Sequence, residues 1–167
     1  LLAGRGFGGQ LVARVRGGGS QPGRGILEVT ESALMHNPAV TLGSVGRLRL
    51  AGFGLSIDDY GTGFSTLQQL SRLPFTELKI DRAFVADAQR NQRARDILQA
   101  AIEMGRTLRL PCIAEGIEQR EDACLLASLG CFAGQGYLFA RPMAGADLPV
   151  WHRAHYGCAS LAEWFAV

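Results

Sequence analysis

The stretch FGLSIDDYGTGFSTLQQLSRLPFTELKID, at positions 53–81, contains the pattern that decides the fold. FGLSID is a short apolar run that predicts a β-strand, and STLQQLSRL has the apolar spacing of a helix that ends before Pro74. TELKI then predicts a second strand. A strand, a helix and another strand in this order form a βαβ unit, which is typical of parallel sheets.

The same alternation continues on both sides of this unit. ILEVT (26–30) and PCIAEG (111–116) predict further strands, and GQGYLF (134–139) is a shorter candidate for a fifth. Helical spacing of apolar residues occurs at 39–52, 93–110 and 120–130. We therefore expect an α/β fold with a parallel sheet. An open doubly wound sheet and a (β/α) barrel both fit this pattern.

Composition narrows the class of protein further. The chain has 167 residues, 47% of them hydrophobic, which suits one globular domain, and it contains no apolar run long enough to be a membrane segment. Four arginines and no acidic residue precede Glu28, which leaves 13 basic and 15 acidic residues in the rest of the chain. Because the excess positive charge lies in a glycine-rich lead rather than on one folded face, we expect no DNA binding.

The lead and the cysteines give two further expectations. Residues 1–25 contain nine glycines and predict no strong element, although QLVARV (10–15) could form part of a helix. The four cysteines form no CxxC pair, so we expect buried, reduced thiols and a cytoplasmic protein. They are Cys112, Cys124, Cys131 and Cys158.

Polar or charged side chains come at the ends of consecutive predicted strands. They are Glu28, the pair Asp58 and Asp59, Lys79, Glu115 and Gln135. In parallel α/β folds the carboxyl ends of the strands lie at one face, where carboxylates that meet require cations or protons. Oxygen ligands of this kind favour Mg²⁺ or Mn²⁺, and Lys79 is the only lysine beside sixteen arginines. Paired hard cations and one lysine suit the hydrolysis of a phosphate ester.

Several motifs resemble, in order and spacing, those of the EAL domain family of cyclic di-GMP phosphodiesterases. They are ILEVTES, SIDDYGTGFSTLQQLSRLPFTELKIDRAFV, IAEGIE and GCFAGQGYLFARPM, within residues 26–145. The resemblance implies a modified, TIM-like (β/α) barrel in which one strand is antiparallel. It also implies two Mg²⁺ or Mn²⁺ ions that serve to open cyclic di-GMP into the linear dinucleotide pGpG.

The resemblance also implies a role for each matching residue. Glu28, Asp58 and Asp59 correspond to metal ligands, with Asp58 between the two ions. Lys79 corresponds to the lysine that holds the attacking water and the phosphate. Glu115 and Gln135 correspond to residues of the metal and water site, with Glu115 as a metal-site or general-base residue. Residues that would support the loop after the acidic pair, or the site around it, are Glu31, Thr62, Gly63, Ser65, Glu118 and Asp81.

Two motifs of the family are absent from these 167 residues: the Glu-Ala-Leu signature and the Asn-containing motif that follows it. Each supplies a ligand of the first metal. A whole barrel takes roughly 250 residues, so we expect an incomplete barrel whose first strands are missing. We expect residues 1–25 to be a remnant of the upstream barrel segment, 26–155 the C-terminal part of the EAL-type domain and 156–167 a tail.

Two functions remain open at this point. The first is a metal-dependent phosphodiesterase acting on cyclic di-GMP, inactive as an isolated fragment. The second is a degenerate, non-catalytic module that binds cyclic di-GMP or a protein partner. Analogy with the family adds a homodimer and an upstream sensory or GGDEF domain as partners.

Overall fold

The computed structural model describes residues 7–36, 38–60 and 73–156, which alternate strands and helices around one parallel sheet. The strands are β1 (Ile26–Thr30), β2 (Gly54–Tyr60), β3 (Glu77–Ile80), β4 (Cys112–Ala114) and β5 (Ala133–Gly134). The helices are α1 (Phe7–Gly17), α2 (Glu31–His36), α3 (Pro38–Leu50), α4 (Arg82–Ala88), α5 (Gln92–Leu108), α6 (Arg120–Ser128) and α7 (Leu148–Tyr156), with a 3₁₀ turn at Pro22–Arg24.

The strands lie in the sheet in the order in which they occur in the chain, and every neighbouring pair is parallel. Parallel neighbours require a crossover connection, and the helices between the strands provide it where the connections are described. The carboxyl ends of all five strands therefore lie at one edge of the sheet. The predicted α/β class and parallel sheet are confirmed.

Side chains alternate between the two faces of the sheet, as the pleat requires. The face that packs on the helices carries the core: each of its central residues is at most 4% exposed. These residues are Leu55, Ile57, Leu78, Ile80, Cys112 and Ala114. The residues that alternate with them along the strands, including Asp58 and Lys79, lie on the opposite face. The polar side chains of the strand ends meet there.

Most predicted elements occur where the sequence indicates them, and the differences have local causes. The weak helix expected at 10–15 runs from Phe7 to Gly17, because Leu11, Val12 and Val15 pack against the core. The fifth strand is only Ala133–Gly134, at the start of the run expected to form it. Helix α4 is absent from the sequence analysis, although Asp81 caps it by accepting the Ala83 N–H at 2.8 Å. The helix expected at 65–73 lies almost entirely outside the described residues.

The cysteine prediction is right for one thiol and wrong for another. Cys112 is buried, Cys131 is half-buried and Cys124 lies exposed on α6, where its neighbours pack and it does not. All three are free thiols, and Cys158 lies outside the described residues. Burial raises the pKa of Cys112 to about 11, so this thiol is neutral and packs as a small apolar side chain.

Among the described helices, none combines the length and apolar character that crossing a membrane requires.

The end of α5 has an unusual backbone conformation at Arg109, whose φ of 58° is left-handed. Glycine normally occupies such a position, because a Cβ there approaches the carbonyl oxygen. The Leu110 N–H closes the helix end by donating to the Gly105 carbonyl at 2.8 Å. The turn is thus held by its hydrogen bonds in spite of the residue type.

We predict that Arg109→Gly stabilises the protein by about 0.5–1 kcal/mol, because relief of the left-handed strain exceeds the entropy that glycine adds to the unfolded chain. Urea unfolding measures the change. Arg109→Ala is the matched control: it removes the guanidinium but keeps the Cβ, so it gives no such gain. Equal stabilisation by both variants would contradict the backbone explanation.

Candidate active site

A lysine ammonium surrounded by three carboxylates forms the centre of the candidate site. Lys79 Nζ lies 2.5 Å from Glu115 Oε1, 2.7 Å from Glu28 Oε1 and 3.3 Å from Asp58 Oδ1. Lys79 belongs to β3, Glu28 to β1 and Asp58 to β2, and Glu115 follows β4 directly. Four adjacent parallel strands therefore deliver one charged side chain each to the same place.

The surroundings of Lys79 keep it charged. Its side chain is only 7% exposed, whereas those of Asp58 and Glu115 are 19% and 17% exposed and that of Glu28 is 53% exposed. Burial by itself lowers the pKa of the Lys79 ammonium, but hydrogen bonds to Glu115 and Glu28 and the nearby negative charge raise it more, to well above its ordinary value. Lys79 is therefore a cation at neutral pH.

Gln135 donates a second hydrogen bond to the Glu115 carboxylate. Its side-chain amide donates to Glu115 Oε1 at 2.7 Å, so this oxygen accepts from both Lys79 and Gln135. The backbone N–H of Gln135 donates to the Ala114 carbonyl at 2.8 Å, and its own carbonyl accepts from Ile117 N–H at 3.1 Å. Because one N–H of its NH₂ group is engaged by Glu115, the amide oxygen and the other N–H of Gln135 are the groups left for a ligand.

An irregularity in β2 coincides with the acidic pair. Ile57 is paired with Leu78 and Tyr60 with Ile80, so three steps along β2 correspond to two along β3. The extra residue falls at Asp58 and Asp59, which marks a β-bulge, a feature common beside active sites because it redirects a side chain. Alternation places Asp58 on the face opposite Ile57, where it reaches the Lys79 ammonium, and the bulge makes Tyr60 rather than Asp59 pair with Ile80.

The structure brings five of the predicted site residues together: Glu28, Asp58, Lys79, Glu115 and Gln135. Asp59 lies in β2 and Glu31 begins α2, but their side chains are not among those described. Thr62, Gly63 and Ser65 lie outside the described residues. Glu118 stands apart from the centre and pairs with Arg82 at 3.0 Å, and Asp81 caps α4. The supporting roles of these residues remain predictions.

Arg82 is the residue that the sequence analysis missed. It follows Lys79 by three positions, and Glu118 follows Glu115 by three positions. This equal spacing of two cations and two anions was the available signal. The spacing alone does not indicate which cation pairs with which anion, because the two stretches are far apart in the sequence.

The donor chemistry of the site fits hard divalent cations. Its described ligands are carboxylate oxygens and one amide oxygen, the groups that Mg²⁺ and Mn²⁺ prefer. Lys79 contacts one oxygen of each carboxylate, so the second oxygen of Glu28, of Asp58 and of Glu115 is not used by it. Within the described ranges, no three Asp, Glu, His or Cys side chains already converge as a metal cage, because the ammonium lies among them.

Comparison with known proteins agrees with this geometry. The model of the EAL domain matches residues 1–142. This chain belongs to the EAL domain family. The match includes the first 25 residues, beyond the motifs that indicate the family in the sequence.

The relatives carry names and ligands that bear on the EAL domain's function. The cyclic di-GMP phosphodiesterase NbdA of Pseudomonas aeruginosa is 46% identical over 129 residues, which cover 77% of this chain and 16% of NbdA. The cyclic di-GMP complex of the phosphodiesterase PaMucR is 39% identical with a TM-score of 0.84, covering 88% of this chain and 60% of that one. This EAL domain chain thus spans a small part of its curated relative.

A third neighbour holds a metal together with the dinucleotide. It is the manganese and cyclic di-GMP complex of BlrP1 from Klebsiella pneumoniae, 32% identical with a TM-score of 0.75, covering 80% of this chain and 34% of that one. The solved EAL structures confirm the predicted fold: the five parallel strands are part of a TIM-like barrel.

We predict that Lys79→Met lowers the free energy of unfolding by about 2 kcal/mol at pH 7, because it leaves three carboxylates together without their cation. The raised pKa keeps Lys79 charged from acid to neutral pH, so its stabilisation is lost only on approach to strongly alkaline pH.

Urea unfolding at pH 7 measures the difference between variant and wild type, with Arg93→Met, at the exposed start of α5, as the control. MnCl₂ should stabilise Lys79→Met more than the wild type, since the cation replaces the missing ammonium. Equal stabilisation of both proteins by MnCl₂ would contradict the electrostatic explanation.

Proposed function

We propose that this EAL domain is a metal-dependent phosphodiesterase that opens cyclic di-GMP to pGpG. The observation that carries the proposal is the convergence of Glu28, Asp58 and Glu115 on the Lys79 ammonium at the carboxyl edge of the sheet. Names and complexes of the relatives support the same substrate. Because the chain covers only part of these proteins, activity and substrate are proposals for the protein that contains it.

Each residue has a distinct task in this proposal. Glu28, Asp58 and, by the resemblance, Asp59 would hold two Mg²⁺ or Mn²⁺ ions, with the manganese complex of BlrP1 as support. Bound there, the ions supply Lewis-acid stabilisation of the charge that develops on the phosphate. Lys79, permanently cationic, binds a phosphate oxygen and orients the attacking water.

Glu115 completes the site from the other side. Its Oε1 accepts from Lys79 and from Gln135, which fixes the orientation of the carboxylate. The other carboxylate oxygen is then the one that accepts a hydrogen bond from the attacking water, and the Gln135 amide oxygen accepts a second. Two acceptors with fixed positions restrict the water to one orientation relative to the phosphorus.

The proposal extends to the setting of the domain. Full activity requires the Glu-Ala-Leu and Asn ligands, which are absent from this sequence, so the chain alone turns over weakly or not at all. The free thiols of Cys112, Cys124 and Cys131 favour the cytoplasm. A homodimer and an upstream sensory or GGDEF domain are the partners that the family suggests.

We predict that Asp58→Asn, in a protein extended upstream to include the missing motifs, abolishes the Mg²⁺-dependent release of pGpG, because it removes the charge that holds the cations. Chromatography of the nucleotide products measures the release. Asp87→Asn, on the exposed side of α4, is the matched control and should leave turnover unchanged. Unchanged turnover in Asp58→Asn would refute the assigned role.

The same assay separates the two functions. The isolated chain should release pGpG about 100-fold more slowly than the extended protein, or not measurably, because two metal ligands are missing. Binding of cyclic di-GMP by the extended wild type without any release of pGpG would instead support the non-catalytic module.

A further inference from the structure

Two cationic side chains at the junction between β3 and α4 form ion pairs with one short segment of the chain, residues 115–118. Lys79 pairs with Glu115 at 2.5 Å, and Arg82 pairs with Glu118 at 3.0 Å. Both pairs join the same two stretches, 79–82 and 115–118, at their first and last residues. The segment 115–118 is therefore held at both ends, once inside the site and once outside it.

Gly116 lies under the side chain of Arg82. Its φ of +65° is a conformation that side chains rarely adopt, and a Cβ added there would come within 2.5–2.7 Å of Arg82 Cβ, Cγ and Cδ. The aliphatic part of Arg82 thus lies flat against the glycine. The arginine side chain covers the backbone immediately after Glu115, and this close contact leaves no room for a Cβ at position 116.

The backbone of the same segment is fixed from both neighbouring strands. Glu115 N–H donates to the Ile80 carbonyl at 3.0 Å, and Ile117 N–H donates to the Gln135 carbonyl at 3.1 Å. Arg82 contacts the segment at Gly116, between these two hydrogen-bonded residues. Removing its side chain would uncover Gly116 without removing either hydrogen bond.

The backbone of Arg82 is held at the start of a capped helix. It is the first residue of α4, and Asp81 caps this helix by accepting from Ala83 N–H at 2.8 Å. Its side chain is 62% exposed and ends at Glu118, outside the cluster of Lys79 and the carboxylates. Its contacts with this segment are at Gly116 and Glu118.

We propose that Arg82 is a positioning residue: its contact with Gly116 and its ion pair with Glu118 hold the Glu115 carboxylate in place against Lys79. The inference rests on the proposed function, since Glu115 matters to turnover only if the site hydrolyses cyclic di-GMP. Because the ion pair is partly exposed, its effect is moderate.

The first experiment measures turnover of cyclic di-GMP in the upstream-extended protein. Arg82→Ala should lower kcat about five-fold and change KM by less than about two-fold, since Arg82 orients Glu115 and does not bind substrate. Arg82→Lys, which keeps the chain over Gly116 and the charge, should recover most of the loss. Glu118→Gln should lower kcat as well, and its combination with Arg82→Ala should add little.

Arg93→Ala, an exposed arginine at the start of α5, is the matched control and should leave both constants unchanged. An unchanged kcat in Arg82→Ala would overturn the proposal. A change confined to KM would also overturn it, because it would assign Arg82 to substrate binding.

The second experiment uses this chain without metal or substrate. Hydrogen exchange should be faster at the amides of Glu115 and Ile117 in Arg82→Ala, about five-fold, and restored in Arg82→Lys. Leu78 N–H, which donates to the Pro111 carbonyl at the other end of β3, should not change. If the extended wild type does not release pGpG, the proposed function fails, while the exchange at Glu115 and Ile117 still decides whether Arg82 holds this segment.

Discussion

The ammonium of Lys79 is the constraint on which the rest of the site depends. Three carboxylates at the edge of a sheet repel one another, and a half-buried carboxylate without a partner is costly. One cation within 3.3 Å of all three removes this cost and fixes where the ends of β1, β2 and β4 lie relative to β3. Parallel strands place their carboxyl ends together, so the fold brings these carboxylates close to one another, and Lys79 neutralises their repulsion.

Two departures from regular structure lie beside this point. The bulge in β2 adds one residue at the acidic pair, so that Tyr60 rather than Asp59 pairs with Ile80, while Leu55 and Ile57 keep their places in the core. After β5, Gly136 allows the turn to pass so close to Ile117 that a Cβ would overlap its backbone. Regular alternation therefore places both the core residues and Asp58, and the two irregularities affect only the backbone next to the site.

The sequence allowed the central residues to be predicted because strand ends are readable from alternation, and because several motifs occur together in the order of one family. Glu28, Asp58, Lys79, Glu115 and Gln135 all follow from that reasoning. The bulge could not be predicted, since it depends on how β2 pairs with β3 and not on either strand alone. Arg82 was missed for a related reason: its partner Glu118 is 36 positions away, and only the fold brings the two together.

The arrangement around Lys79 also explains how a site can be assembled before its ligands bind. Each carboxylate gives one oxygen to the ammonium and keeps the other. A phosphodiester offers anionic oxygens similar to those of a carboxylate, so Lys79 can exchange one partner for a phosphate oxygen without losing a charge-assisted hydrogen bond. Glu115 cannot move away during such an exchange, because Gln135 donates to the same oxygen. In the proposed mechanism, the carboxylate that would orient the water is thus held by Gln135 as well as by the lysine that would bind the phosphate.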